Sequence, residues 1–370
     1  LFPKNLFSLT MQNNQAIPFN KENFKQIWSK EFALVIAVSI PGALIADYFS
    51  VPLAWFLGPM LVTSIVSLLG FKTKMPKLVL SIILIFLGLY IGNYIDKNLF
   101  SQIHQWAWTS FIMFLYIIVS VLLVSKYLQK FSGYEKKTSL FSAAPGALGP
   151  LLILAEDERS DLSQVATSHL IRLIIIITVF PFFVQSFYGF GVENLNENII
   201  ENQNIIDLLI LVFLSLILIY LFDRLRLPAA LLSGTLVASG FLQITEIAIY
   251  KLPANIVDYC LLILGSSVGC RFANKTFYDI GKNALHSFVA TFFLVLLGVI
   301  AAFVAGFFID KNFFTLLLSY CPGGIYEVAV IAIYFNLDPE FVSFHHIIRL
   351  LIILFVVPIF VRKLKSQKPT

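Results

Sequence analysis

The sequence predicts an all-α, polytopic membrane protein made of two inverted repeats, each with about five crossing helices and one re-entrant or broken helical hairpin. Three observations carry that expectation. Hydrophobic residues make up 58% of the 370 residues and charged residues 13%, with a mean hydropathy of +0.86; about a quarter of the residues of a soluble domain are charged. Twelve apolar runs, each near the ~17–25 residues that cross about 30 Å of hydrocarbon as a helix, follow one another with short polar breaks. The second half also repeats the first. With a constant offset of 177, Pro145 falls on Pro322, Gly146 on Gly323, Asp161 on Asp338, His169 on His346, Arg172 on Arg349 and Pro181 on Pro358.

Residues 1–30 are polar, with lysines and asparagines, and lack the apolar stretch and cleavage site of a signal peptide; they are expected in the cytoplasm. The first repeat spans 31–187, with apolar runs near 31–49, 53–70, 77–95, 105–127, 138–156 and 163–187. An acidic linker at 188–204 is expected outside. The second repeat spans 205–362, with runs near 205–222, 228–245, 253–270, 283–308, 313–335 and 341–361, and residues 363–370 form a basic cytoplasmic tail. The same offset pairs Gly88 with Gly265 and Gly92 with Gly269, and a one-residue slip pairs Pro52 with Pro228 and Gly58 with Gly234. Cys260, Cys270 and Cys321 are odd in number and widely spaced, which suggests neither a disulfide framework nor a zinc site.

Charge placement selects the topology. With all twelve runs crossing and the N-terminus inside, 17 lysines and arginines fall on inner loops and 7 on outer ones. If the fifth and eleventh runs enter the membrane and return on the same side, the split becomes 21 inside against 3 outside, namely Lys97, Lys251 and Lys311. The backbone agrees. Pro145, Gly146, Gly149 and Pro150 interrupt the fifth run, and Pro322, Gly323 and Gly324 the eleventh. Non-helical backbone at membrane depth survives only where protein buries it or where it lines a watery cavity. A unit of five crossings and one hairpin has odd parity, so its copy inserts upside down. The two Pro-Gly tips then approach the midplane from opposite faces, as discontinuous helices do in many secondary transporters. The alternative is a kinked crossing helix in each half.

His169 and Arg172, like His346 and Arg349, are spaced i, i+3 and share a helix face. Each arginine lies roughly 13 Å into its run at about 1.5 Å per residue, a depth at which a charge faces the bundle interior and needs a partner. Two kinds of partner fit. One is an anionic substrate, shared with free backbone N–H groups at a half-helix N-terminus beside the tip. The other is structural: broken-helix carbonyls or an internal carboxylate. The substrate-binding candidates are Pro145, Gly146, His169, Arg172, Pro322, Gly323, Gly324, His346 and Arg349. Glu327, three residues past Gly324 where the first copy has Pro150, is the ion-coupling candidate, with Asp258 a second of the same kind. Asp161 and Asp338 are expected as N-caps, and Trp106, Trp108 and Tyr116 as interfacial anchors.

The stretches Ala-Pro-Gly-Ala at 144–147 and Cys-Pro-Gly-Gly-Ile-Tyr-Glu at 321–327 are each followed by His-x-x-Arg-Leu and then a proline. With Pro-Leu-Ala-Trp-Phe-Leu-Gly-Pro at 52–59, they resemble the AbrB-duplication family of bacterial membrane proteins over residues 33–362. The resemblance implies a multi-pass protein of the bacterial inner membrane, with both termini cytoplasmic and functional positions at Glu327 and Arg349. This chain departs from the pattern at Ala147, in place of a second glycine, and at Pro150, in place of a carboxylate. If Glu327 couples an ion, the two halves cannot do the same job. Members carry labels as ammonia monooxygenases or regulators of gene expression, and the residues support neither. A metal monooxygenase requires clustered ligands, yet His104, His169, His286, His345 and His346 are scattered, and neighbours on a helix point about 100° apart. There is no soluble basic DNA-binding module.

No catalytic residue, metal or cofactor is expected, and an enzyme is not. The residues point to a secondary-transporter-like protein that moves a small, anionic solute with ion coupling. Its partners are the lipid bilayer and that solute, not nucleic acid, and a homo-oligomer stays open. The alternative is a membrane-embedded sensor or regulator of gene expression, which the short cytoplasmic loops disfavour.

Overall fold

The computed structural model describes residues 21–95, 99–188, 204–225, 227–248, 250, 255–273 and 275–366. The lead-in before residue 21, the linker 189–203, the tail beyond 366 and the loop positions of Lys97, Arg226 and Lys251 lie outside the described residues. All regular structure among those described is helical. After a short helix, Lys21–Gln26, come α1 (Lys30–Tyr48), α2 (Ala54–Leu68), α3 (Lys77–Gly92), α4 (Leu99–Ser132), α5 (Lys136–Ala143), α6 (Leu148–Asp157) and α7 (Leu162–Tyr188). Then follow α8 (Ile205–Arg224), α9 (Ala230–Thr245), α10 (Asn255–Cys270), α11 (Phe277–Ala305), α12 (Phe313–Tyr320), α13 (Ile325–Tyr334) and α14 (Pro339–Ser366).

Six of these, α1, α4, α7, α8, α11 and α14, are long and apolar enough to cross a membrane. This is a multi-pass membrane protein. The outward face of α8, with Leu209, Val212, Phe213, Leu216, Ile217 and Tyr220 exposed, is a surface that lipid solvates and water does not. α2, α3, α9 and α10 are shorter, at 15 or 16 residues. Local chemistry trims them. Leu53 and Ala229, just after Pro52 and Pro228, take left-handed conformations (φ 52° and 54°) that hold α2 and α9 back from the preceding turns. Pro76 supplies an extended start to α3. Side-chain caps on orphan N–H groups open other helices, among them Ser29 for α1, Asn204 for α8, Thr276 for α11 and Asn312 for α12.

Between the long helices, each pair of half-helices doubles back. Lys137 Nζ reaches Glu158 Oε2 at 2.9 Å, and the Asp161 N–H donates to Thr138 Oγ1 at 3.1 Å, so the start of α5 meets the end of α6. In the second half, Lys311 Nζ lies 2.7 Å from Asp338 Oδ1, and Thr315 Oγ1 donates to Asp338 Oδ2 at 3.1 Å. A crossing helix of about 20 residues would hold its ends about 30 Å apart.

Packing exchanges elements between the halves: α2 lies on α10, and α3 on α9. Small residues permit both contacts. A Cβ on Gly88 in α3 would run into the Leu232 carbonyl and Thr235 hydroxyl of α9; one on Gly265 in α10 would run into the Phe56 carbonyl of α2. Gly88 and Gly265 are copies, as are Phe56 and Leu232 under the one-residue slip, so the repeated glycines repeat a contact. Backbone carbonyls cannot step aside. Gly88→Ala and Gly265→Ala are each expected to lower stability by about 1–3 kcal/mol through overpacking. Gly281→Ala in α11, where no neighbour lies within 4 Å, is expected to be harmless in the same thermal unfolding of detergent-purified protein.

Candidate functional site

Each half-helix pair is broken by a proline that restricts the residue before it. Ala144 (φ −62°, ψ 128°) and Cys321 (φ −60°, ψ 131°) are extended because Pro145 and Pro322 follow. The tips then differ. Gly146 takes φ +102° and Ala147 φ 60°, whereas Gly324 takes φ −79° and ψ 152°. Ala147 and Gly324 are the N-caps of α6 and α13, and neither provides a side-chain cap.

The His-x-x-Arg motifs lie on α7 and α14 and grip the carbonyls these breaks leave open. His169 Nε2 lies 2.9 Å from the Phe141 carbonyl, and His346 Nε2 lies 3.0 Å from that of Leu318. Arg172 donates from Nη1 to the Ala144 carbonyl at 2.5 Å and from Nη2 to that of Ser142. Arg349 donates from Nη1 to the Cys321 carbonyl, and from Nη2 to the Gly323 carbonyl at 2.5 Å. Arg349 Nη2 also lies 3.0 Å from His346 Nδ1, which accepts if Nε2 carries the ring proton. A cation at a helix C-terminus offsets the macrodipole and satisfies orphan carbonyls together. The arginines therefore do the structural work that the sequence left as one of two options.

The two tips meet. Arg349, fixed to the second tip, also flanks the first: a Cβ built on Gly146 would lie 2.9 Å from its Nη2 and 3.4 Å from its Nε. Arg172 and Arg349 are close enough to repel one another, and Tyr116 is close enough to feel both. Both arginines are buried, at 2% and 0% exposure, and among the described residues neither forms an ion pair with a carboxylate. Each Nε, and Ser142 Oγ, is buried without a hydrogen-bond partner. Beside them, Gly149 in the first turn of α6 is exposed and faces open space. The result is a positive, partly unsatisfied centre next to an uncapped helix N-terminus.

Glu327 is buried three residues past Gly324, and its partner is Arg271, with Oε1 2.8 Å from Nη2. A Cβ on Gly324 would collide with the Glu327 carboxylate, so that glycine is the room the carboxylate needs. The first half has Ala147 and Pro150 at the matching positions, and Tyr94 where the second has Arg271. The departures of the first copy thus belong together: without a carboxylate there is no need for a bare tip or for its cation.

Other expected residues fall elsewhere. Asp258 is half-buried, with Asp47 and Tyr334 as electrostatic neighbours rather than the tips. Asp161 caps α7 by accepting from the Gln164 N–H at 3.0 Å, whereas the Asp338 carboxylate is spent on Lys311 and Thr315. Trp106 and Tyr116 are not interfacial anchors. Both are buried, Tyr116 within the centre and Trp106 against Phe341 and Phe344. Arg271 was not among the expected residues, and its one signal in the sequence is that its copy and Glu327's copy are both uncharged.

The profile of the family described as "Transition state regulatory protein AbrB" matches residues 4–100 and 55–365. The chain belongs to the AbrB family. It is 24% identical over 322 residues to a protein of Escherichia coli (strain K12) named "Putative regulator AbrB", covering 86% of this chain and 92% of the relative. It is 20% identical over 354 residues to "Uncharacterized protein YhjN" of Bacillus subtilis (strain 168), covering 89% and 92%. No solved structure gives a significant match.

In this AbrB-family protein the two members of the Arg271–Glu327 pair are unequally placed. Their side chains are 31% and 2% exposed. Arg271→Gln strands a buried carboxylate, a loss of about 3–5 kcal/mol for such pairs, whereas Glu327→Gln leaves a guanidinium that reaches solvent. Thermal unfolding is expected to show Arg271→Gln as clearly the more destabilising of the two.

Proposed function

We propose that this AbrB-family protein is a secondary transporter of a small anionic solute, bound where the two hairpin tips meet. The observation that carries this reading is Arg349, a buried guanidinium held by one tip and set against the other, which among the described residues forms no ion pair with a carboxylate. Two like charges at one buried centre are costly unless an anion joins them. The unpartnered Nε atoms and the N–H groups opening α6 are donors for one.

The membrane arrangement proposed is two inverted repeats, with the first hairpin entering from the cytoplasm and the second from outside. The 21-to-3 charge split supports it, as does the exchange of α2 and α3 with α10 and α9, the reciprocal contact a two-fold axis produces. Ion coupling is assigned to Glu327, a buried carboxylate close enough to Arg349 to interact with it. The second reading is a membrane sensor that binds the same anion without moving it; the family description and the name of the Escherichia coli relative favour it.

Counterflow into proteoliposomes, over a panel of radiolabelled small carboxylates and inorganic anions, separates the two. Accumulation of at least one anion by the wild type, lost in Arg349→Ala, is the expected result. Anion binding with no flux under any imposed gradient sinks the transporter.

A further inference from the structure

The helices form two bundles. α1–α3 pack with α8–α10, and α4–α7, including the first hairpin, pack with α11–α14, including the second; backbones approach closely within each set and at few places between them. One apolar cluster runs through both bundles, with Phe56, Leu57 and Leu87 from the first and Leu151, Val328 and Ile331 from the second. Two of the ion pairs among the described residues, Lys137–Glu158 and Lys311–Asp338, close on their own hairpins. Arg271–Glu327 crosses the seam between the bundles instead: Arg271 directly follows α10 of the first bundle, and Glu327 opens α13 of the second. A further polar link crosses it, between the Tyr334 hydroxyl oxygen and the Leu53 backbone N–H.

We propose that the Arg271–Glu327 pair is a one-sided latch that holds the hairpin bundle against the other, and that releasing it lets the hairpin bundle shift as a body. Two inverted copies of one unit would give an inward and an outward arrangement of nearly equal energy. A contact present in one copy alone favours one arrangement. The latch is such a contact, since Tyr94 and Pro150 stand at the matching positions. It is also built to open. Arg271 is partly exposed and can turn to solvent, while Glu327 sits at the third position of α13, where a carboxylate folds back on its own helix N-terminus. This inference rests on the transport reading for its purpose and not for its test.

The test is a distance measurement on full-length protein in liposomes, with Cys260, Cys270 and Cys321 replaced by alanine. Spin labels are placed at Lys72→Cys on the first bundle and Asp157→Cys on the second, both exposed positions. This labelled background, with the Arg271–Glu327 pair intact, is expected to give one dominant distance. Arg271→Gln and Glu327→Gln should each raise a second population about tenfold relative to it, an energetic bias of roughly 1.4 kcal/mol. The charge swap Arg271→Glu with Glu327→Arg should return the first distance. Unchanged distances in both single variants overturn the latch. So do single variants that fail to fold beside a charge swap that folds, because the pair is then a folding contact. Absence of flux in the transport assay would remove the transporter and leave this result standing.

Discussion

Arg349→Gln is expected to open the second hairpin tip while leaving the chain inserted in the membrane. The native guanidinium donates to the Cys321 and Gly323 carbonyls and contacts His346, and a glutamine amide cannot span all three. Hydrogen bonds to a charged group contribute about 1.5–3 kcal/mol each. Relief of a buried charge returns part of that, so the net loss is set at about 3 kcal/mol, confined to the tip. Cys321 reports it, because its thiol is 3% exposed and free. Modification of Cys321 by a maleimide, read by peptide mapping, should accelerate by about a hundredfold, following from roughly 1.4 kcal/mol per factor of ten. Arg349→Lys should not restore protection, since one ammonium lacks the planar fork that serves two carbonyls. An unchanged rate in Arg349→Gln would mean that the arginine does not hold the tip.

Gly146→Ala is the second large effect. A φ of +102° disfavours any side chain, at about 1–2 kcal/mol, and the new methyl would press on Arg349, 2.9 Å away. A free arginine would move; this one is pinned at both Nη atoms, so overpacking adds about 1–3 kcal/mol. The total, about 2–5 kcal/mol, falls on a contact that joins the two tips. Gly149→Ala, three residues on, meets nothing within 4 Å and gains up to about 1 kcal/mol of helix propensity. Unfolding temperatures should therefore separate the two substitutions in opposite directions. Equal effects would mean that the tips do not touch.

Much of this was legible in the chain because membrane energetics leave a sparse code. Charges are costly in hydrocarbon, so the two buried arginines mark the centre. Proline and glycine mark the breaks because few other residues permit them there. What stayed hidden depends on partners that a sequence does not display. Arg172 and Arg349 bind backbone carbonyls, and every residue has one, so composition did not choose between a carbonyl and a substrate anion. Tyr116 and Trp106 looked like interfacial anchors because aromatic rings suit an interface and a core equally well. Arg271 stood among ordinary loop charges, and its pairing with Glu327 exists only once α10 and α13 are side by side. The shortness of α2, α3, α9 and α10 was missed because their apolar runs continue into turns set by backbone angles rather than by hydropathy.

Cysteine labelling from each side of the membrane shows whether the two hairpins enter from opposite faces to meet at one positive centre. Asp157→Cys, at the end of α6, and Asp310→Cys, just before α12, both place a thiol at an exposed position near a hairpin mouth. With an impermeant maleimide on spheroplasts, Asp310→Cys is expected to react from outside and Asp157→Cys only after the membrane is opened. Both thiols reacting from the same side would contradict it.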